Sequence, residues 1–100
     1  MQVIIHDRFL GEVANQTHGK LPFPSEVATV FRMRLNQIMQ AQSTQDLHNL
    51  KSLHFEKLKE KRYKDKYSIR INKSYRIIFR IDINNGVEII GIEEISNHYS

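Results

Sequence analysis

Two short runs past the middle of the chain alternate so strictly between apolar and polar residues that they constrain everything around them. Tyr67, Ile69 and Ile71 take the odd positions of the first run, and Ser68, Arg70 and Asn72 the even ones. Tyr75, Ile77, Phe79 and Ile81 take the odd positions of the second. A period of two marks half-buried strands, and two such runs this close together make a hairpin. Opposed residues of a hairpin share a face, so Ile71 is expected across from Ile77 and Ile69 across from Phe79. Lys73, Ser74 and Tyr75 then form a three-residue loop, because a two-residue loop would set Ile71 against Arg76. In this register Ser68, Arg70, Asn72, Arg76 and Arg80 project from the face opposite the apolar one.

Polar residues on the outer face of an antiparallel sheet are ordinary. The distribution of charge is not. Residues 51–82 carry 11 Lys/Arg against 4 Asp/Glu, a net of +7, while the rest of the chain holds 4 against 7, a net of −3. Guanidinium groups fork two donors onto two oxygens, which suits phosphate. Basic residues concentrated in one third of the sequence therefore point to nucleic acid or the ribosome.

The remaining sequence supplies the support for this hairpin. Gln2–Ile5 reads as a strand, and Asp7 as the cap of a helix through Phe9, Leu10, Val13 and Ala14 that ends at His18-Gly19. Leu21-Pro22-Phe23-Pro24 is a rigid connector. Ser25 caps the longest helix, to Gln42, with Val27, Val30, Phe31, Leu35, Ile38 and Met39 as its core stripe. Thr44 caps a further turn. A segment from Leu53 leads into the basic run, and Asn84-Asn85-Gly86 turns into a last strand, Val87–Ile95. Its stretch Ile89-Ile90-Gly91-Ile92 is apolar on both faces and belongs in the interior of the sheet. The expected architecture is α+β: one domain over residues 1–100, with two N-terminal helices on one face of a small, mostly antiparallel sheet and the other face open.

Several chemistries drop out. The chain has no cysteine, hence no disulfide framework or thiolate zinc site. His6, His18, His48, His54 and His98 show no metal-binding spacing, so no metal site is expected. Glycines are isolated, with no phosphate loop, and no GxSxG accompanies a serine. No apolar run is long enough to span a membrane, and no signal segment opens the sequence, which favours the cytoplasm. Acid–base work on a phosphodiester without a metal remains, needing a base, an acid for the leaving oxygen and cations for the charged intermediate. Glu56, His98 and the arginines have the right side chains; composition alone does not assign them.

Glu56-Lys57-Leu58-Lys59, Tyr67-Ser68-Ile69-Arg70-Ile71-Asn72 and Tyr75-Arg76-Ile77-Ile78-Phe79 resemble the signature of the RelE superfamily of bacterial toxins. The HigB, or plasmid maintenance killer, branch is nearest in this pattern, and His98-Tyr99 is similar to the terminal His-Tyr of the YoeB branch. The resemblance runs from Leu53 to Tyr99. It departs where Glu60-Lys61-Arg62 replaces the usual Gly-Asp, and where His98 follows the last strand later than in HigB.

The resemblance implies a RelE-like fold and a ribosome-dependent mRNA endonuclease in a type II toxin–antitoxin system, working without a cofactor. By position it makes Glu56 the base, with His54 an alternative two residues earlier on the same face of an extended strand. It makes Arg76 the phosphate-stabilising cation, His98 the acid and Tyr99 its stacking or orienting neighbour. Lys57, Lys59, Lys61, Arg62, Arg70 and Arg80 would hold RNA. The implied partners are a cognate antitoxin, of the HigA helix-turn-helix kind, in a toxin–antitoxin hetero-oligomer, and the ribosomal A site with its message; no membrane partner is implied. Two other readings use the same scaffold: a ParE-like toxin that binds gyrase, and a ribosome- or RNA-binding module without catalysis.

Overall fold

The computed structural model describes residues 1–97. It contains β1 (Gln2–Ile5), α1 (Arg8–Asn15), α2 (Ser25–Gln40), α3 (Thr44–Asn49), β2 (Glu56–Lys57), β3 (Tyr67–Arg70), β4 (Arg76–Asn84) and β5 (Val87–Ser96). Short 3₁₀ turns at Lys51–Leu53 and Lys61–Tyr63 flank β2. The five strands form one sheet in the order β1-β5-β4-β3-β2. β1 runs parallel to β5 and the other neighbours are antiparallel. The expected α+β fold is therefore present, with a third helix added, and β5 is interior as its doubly apolar run requires.

The Asp7 side chain caps α1, accepting from Leu10 N at 2.9 Å. The helix stops earlier than His18 because Gln16 turns left-handed (φ 58°) and its N–H closes on Glu12 and Val13. Pro24, not Ser25, is the cap residue of α2, and Ser43, not Thr44, that of α3. Val27, Phe31, Leu35 and Ile38 of α2 are buried with Leu10, Val13, Leu47, Leu53, Ile69, Ile77, Phe79, Ile90 and Ile92 in the main core. Met39, expected in that stripe, is 52% exposed.

The hairpin differs from the expected register by two residues: Ile69 faces Ile77 and Tyr67 faces Phe79. The turn is centred one residue earlier than expected, because the Asn72 side chain accepts from both Ser74 N and Tyr75 N, at 2.8 and 2.9 Å, while Ile71 N donates to Tyr75 O at 2.9 Å, leaving Asn72, Lys73 and Ser74 as the loop. A slip of two preserves the side-chain parity, so Arg70 and Arg76 still share the face away from the helices. On β5 a bulge opposite Ile78/Phe79 lets Ile92 and Ile95 both pair with core-facing residues of β4, Phe79 and Ile77.

The face away from the helices is not fully open. Ile78, between Arg76 and Arg80 on β4, is 1% exposed because Leu58 and Tyr63 pack over it. The segment from Leu58 to Lys66 folds back as a flap, tied by Leu58 N to Lys66 O at 2.9 Å. Further along this face Gly91 admits the His6 ring: a Cβ there would lie 2.9 Å from two ring atoms of His6 and 3.2 Å from Arg80 Cγ.

Candidate active site

Three buried polar or charged residues lie in the sheet among the described residues: Ser68, Arg76 and Ser96. They meet at one end of it. Arg76 opens β4 and stands between its cross-strand partners Arg70 and Ser96. Its Nε donates to Ser68 Oγ at 2.9 Å, and its Nη2 donates to the His54 carbonyl at 2.7 Å. Glu56 pairs with Ser68 across β2 and β3, so its carboxylate reaches the same face and sits 3.5 Å from Arg76 Nη2. The guanidinium side chain is 8% exposed and the carboxylate 49%. A fixed, desolvated cation thus borders an accessible base, which is what stabilising a charged intermediate beside a proton acceptor needs.

The backbone at His54 completes the seat. It occupies the left-handed region (φ 48°, ψ 50°) at the end of a 3₁₀ turn, an arrangement that costs a non-glycine residue roughly 1 kcal/mol. This bend aims the carbonyl at Arg76. It also overturns the expectation that His54 and Glu56 share a strand face: β2 begins only at Glu56, and the parity of an extended strand does not reach back through a left-handed residue. The His54 ring is exposed, and what His54 gives the site directly is its carbonyl.

The basic residues divide into four groups. Lys59, Lys61 and Arg62 are exposed on the flap. Lys59, Lys61 and Lys64 line a cleft of ≈ 560 Å³ with Lys57, Glu60 and Asp65. Lys57 belongs to the helix-side face, paired with Tyr67 and with its Nζ 6.0 Å from that ring. Arg80 is separated from Arg76 by the covered Ile78 and is held by Asp82 at 3.1 Å and Glu93 at 3.8 Å. The expected row of three arginines is therefore split: Arg70 and Arg76 stay together, and Arg80 joins a compensated cluster with His6 and the Lys66–Glu93 pair.

Tyr63 is a further neighbour of this site, carried by the flap. It is 6% exposed, with the Arg62 guanidinium 4.7 Å from its ring centre. Burial pushes its hydroxyl pKa above the ordinary 10.0, and the hydrogen bond to Glu94 adds to the rise; Ser96, beside Arg76, is its second hydrogen-bond neighbour. Tyr63 thus fastens the basic flap to the end of β5. His98 and Tyr99, the expected acid and its neighbour, lie outside the described residues.

The comparisons with known proteins decide the family. A family model described as the RelE-like toxin of type II toxin–antitoxin system HigB matches residues 6–92. The chain belongs to this family. An uncharacterized protein of Haemophilus influenzae is 37% identical over 68 residues, a match covering 68% of this chain and 64% of that relative. A YoeB/ParE toxin from Agrobacterium tumefaciens shares the fold, with a TM-score of 0.56 over 99% of this chain and all of that one, at 12% identity. Among the described residues no helix is long and apolar enough to cross a membrane, and no cluster of three or more His, Cys, Asp and Glu side chains forms a metal site.

Proposed function

We propose that this HigB-like chain is one toxin domain acting in the cytoplasm as a ribosome-dependent mRNA endonuclease. The observation that carries this reading is the Arg76 seat: a buried guanidinium fixed by Ser68 Oγ and the His54 carbonyl, 3.5 Å from the half-exposed carboxylate of Glu56. In the proposed reaction Glu56 takes the proton of a message 2′-hydroxyl as that oxygen attacks the adjacent phosphorus. Arg76 stabilises the charge gathered on the phosphoryl oxygens. The bond to the 5′-oxygen breaks, leaving a 2′,3′-cyclic phosphate, and His98 protonates the departing oxygen, with Tyr99 beside it. Lys59, Lys61 and Arg62 on the flap, with Arg70 on the sheet, supply the cations for rRNA and message in the ribosomal A site. A HigA-like helix-turn-helix antitoxin holds the toxin silent in a hetero-oligomer.

Purified protein added to a translation extract should cut message and leave cyclic-phosphate and 5′-hydroxyl ends. A gyrase supercoiling assay run beside it tests a ParE-like action, ParE being part of the name of the solved A. tumefaciens toxin of the same fold. Intact message with gyrase inhibited would replace the endonuclease reading by that one, and ribosome binding without cleavage would leave a non-catalytic module.

A further inference from the structure

Arg34 lies outside every motif described above, yet it reaches the end of β3. It projects from α2, and its Nε donates to the carbonyl of Arg70 at 2.8 Å while its Nη1 donates to Gln37 Oε1 at 3.0 Å. Both acceptors are neutral. Among the described residues neither Arg34 nor Arg70 pairs with a carboxylate. Arg8, Arg62, Arg76 and Arg80 each do. Arg32 also lacks a carboxylate, but it donates to Val13 O on α1, far along the chain from the hairpin. Arg34 is half-buried, and burial lowers its pKa from the ordinary value. Holding a desolvated cation without a counter-charge is unfavourable, and an arriving anion relieves it. By gripping the backbone carbonyl of Arg70, whose cross-strand partner is Arg76, Arg34 is anchored where β3 ends, at the residue from which the Arg70 side chain projects.

We propose that Arg34 is a second phosphate contact: RNA leaving the Arg76 site passes Arg70 at the end of the sheet, and a neighbouring phosphodiester is bound by Arg34. This rests on the RNA-cleaving reading above. It replaces Arg80, whose charge is taken up by Asp82 and Glu93, as the third arginine of the RNA path.

The probe is a short single-stranded RNA made uncleavable by 2′-O-methylation. Titrated into the full chain with arginine Nε labelled by ¹⁵N, it should shift the resonances of Arg34, Arg70 and Arg76 along one saturation curve and leave Arg80 in place. Arg34→Gln should weaken binding about 5–10-fold at low salt and flatten the slope of log affinity against log salt by about 0.7, the value for one phosphate contact on a single strand; Arg34→Lys should keep the slope. A purely structural Arg34 would not change the slope. A silent Arg34 resonance, or an Arg80 resonance that moves with the others, overturns the proposal, and the spectrum of the unsubstituted chain gives this answer even where Arg34→Gln fails to fold. RNA bound at Arg34 without message cleavage on ribosomes would overturn the endonuclease reading and leave the phosphate contact standing; cleavage with Arg34 silent does the reverse.

Discussion

Replacing His54 by glycine separates the two contributions that this residue can make. Its backbone is left-handed (φ 48°, ψ 50°) and its carbonyl accepts from Arg76 Nη2 at 2.7 Å; its ring is exposed. Glycine adopts that conformation freely, so the carbonyl stays on Arg76 and roughly 1 kcal/mol of backbone strain is relieved. The larger entropy of glycine in the unfolded chain costs about 0.5–1 kcal/mol, which nearly cancels the gain. The melting temperature should therefore stay within roughly 4 °C of the parent, given 4–8 °C per kcal/mol for a domain of this size. His54→Ala keeps the strain and should melt at or below His54→Gly.

The same variant tests the general base. With Glu56 as base, single-turnover cleavage of message on programmed ribosomes by His54→Gly should stay within about threefold of the parent. Glu56→Gln should lose about 100- to 10,000-fold, the range for general acid–base catalysis. Its stability should fall by about 1–3 kcal/mol, because the buried Arg76 guanidinium keeps its bonds to Ser68 Oγ and the His54 carbonyl but loses the Glu56 charge. A well-folded His54→Gly protein that no longer cuts would make the imidazole the base. A His54→Gly protein that melts far below His54→Ala would refute the backbone argument itself.

Four further outcomes follow from the same contacts. Arg76→Ala removes the donors to Ser68 Oγ and the His54 carbonyl, so it should cost about 2–4 kcal/mol of stability in denaturant melts as well as about 100-fold in cleavage; Arg76→Lys keeps the charge without the fork and should remain at least about tenfold slow. Tyr63 ionises later in the folded chain than in the unfolded one, so its contribution is complete below the ordinary tyrosine value and is lost as pH rises above about 10; Tyr63→Phe should remove that alkaline loss, read from urea melts at pH 8 and pH 10.5. Gly91→Ala should lower stability by about 1–3 kcal/mol through the clash with His6, and His6→Ala in the same chain should recover most of it. Removing residues 97–100, or making His98→Gln, should slow cleavage by about 100- to 10,000-fold, and Tyr99→Ala by less, with melting and antitoxin affinity retained; a truncated chain that cuts at the parental rate would remove His98 as the acid.

What the sequence could and could not disclose follows from the range of each interaction. Parity is local, so the alternation around Ile69 and Ile77 placed Arg70 and Arg76 on the correct face even though the register was off by two. The register depended on Asn72 bonding Ser74 N and Tyr75 N, a turn choice that alternation does not encode. A signal for the flap was present: Ile78 is an apolar residue at a polar position, and it required a cover, which Tyr63 and Leu58 provide. The left-handed His54 and the reach of Arg34 to Arg70, 36 residues away, left no local pattern.

The arginines show why counting charge was a better guide to the partner than to the site. Residues 51–82 carry a net of +7, yet Arg80 and Arg62 are each answered by nearby carboxylates, and Lys66 by Glu93. Glu93 comes from outside that basic segment and is one of the acids that give the rest of the chain its net of −3. Folding thus lowers the effective charge along the middle of the sheet; among the described residues it leaves Arg34 and Arg70 without a carboxylate partner, Arg70 being the cross-strand partner of the seated Arg76. Polyanion affinity depends on how many cations still have phosphates to neutralise, not on how many the segment contains. Arg70→Gln should therefore weaken RNA binding and flatten its salt dependence by about one contact, while Arg80→Gln, which frees Asp82 and leaves Glu93 to Lys66, should weaken binding mainly through the exposed negative charge of Asp82. Doubling the change to Arg80→Gln with Asp82→Asn should then restore most of the affinity. An Arg80→Gln loss that the Asp82→Asn substitution does not recover would mean that Arg80 itself holds RNA, and the division of this sheet face into compensated and uncompensated arginines would be wrong.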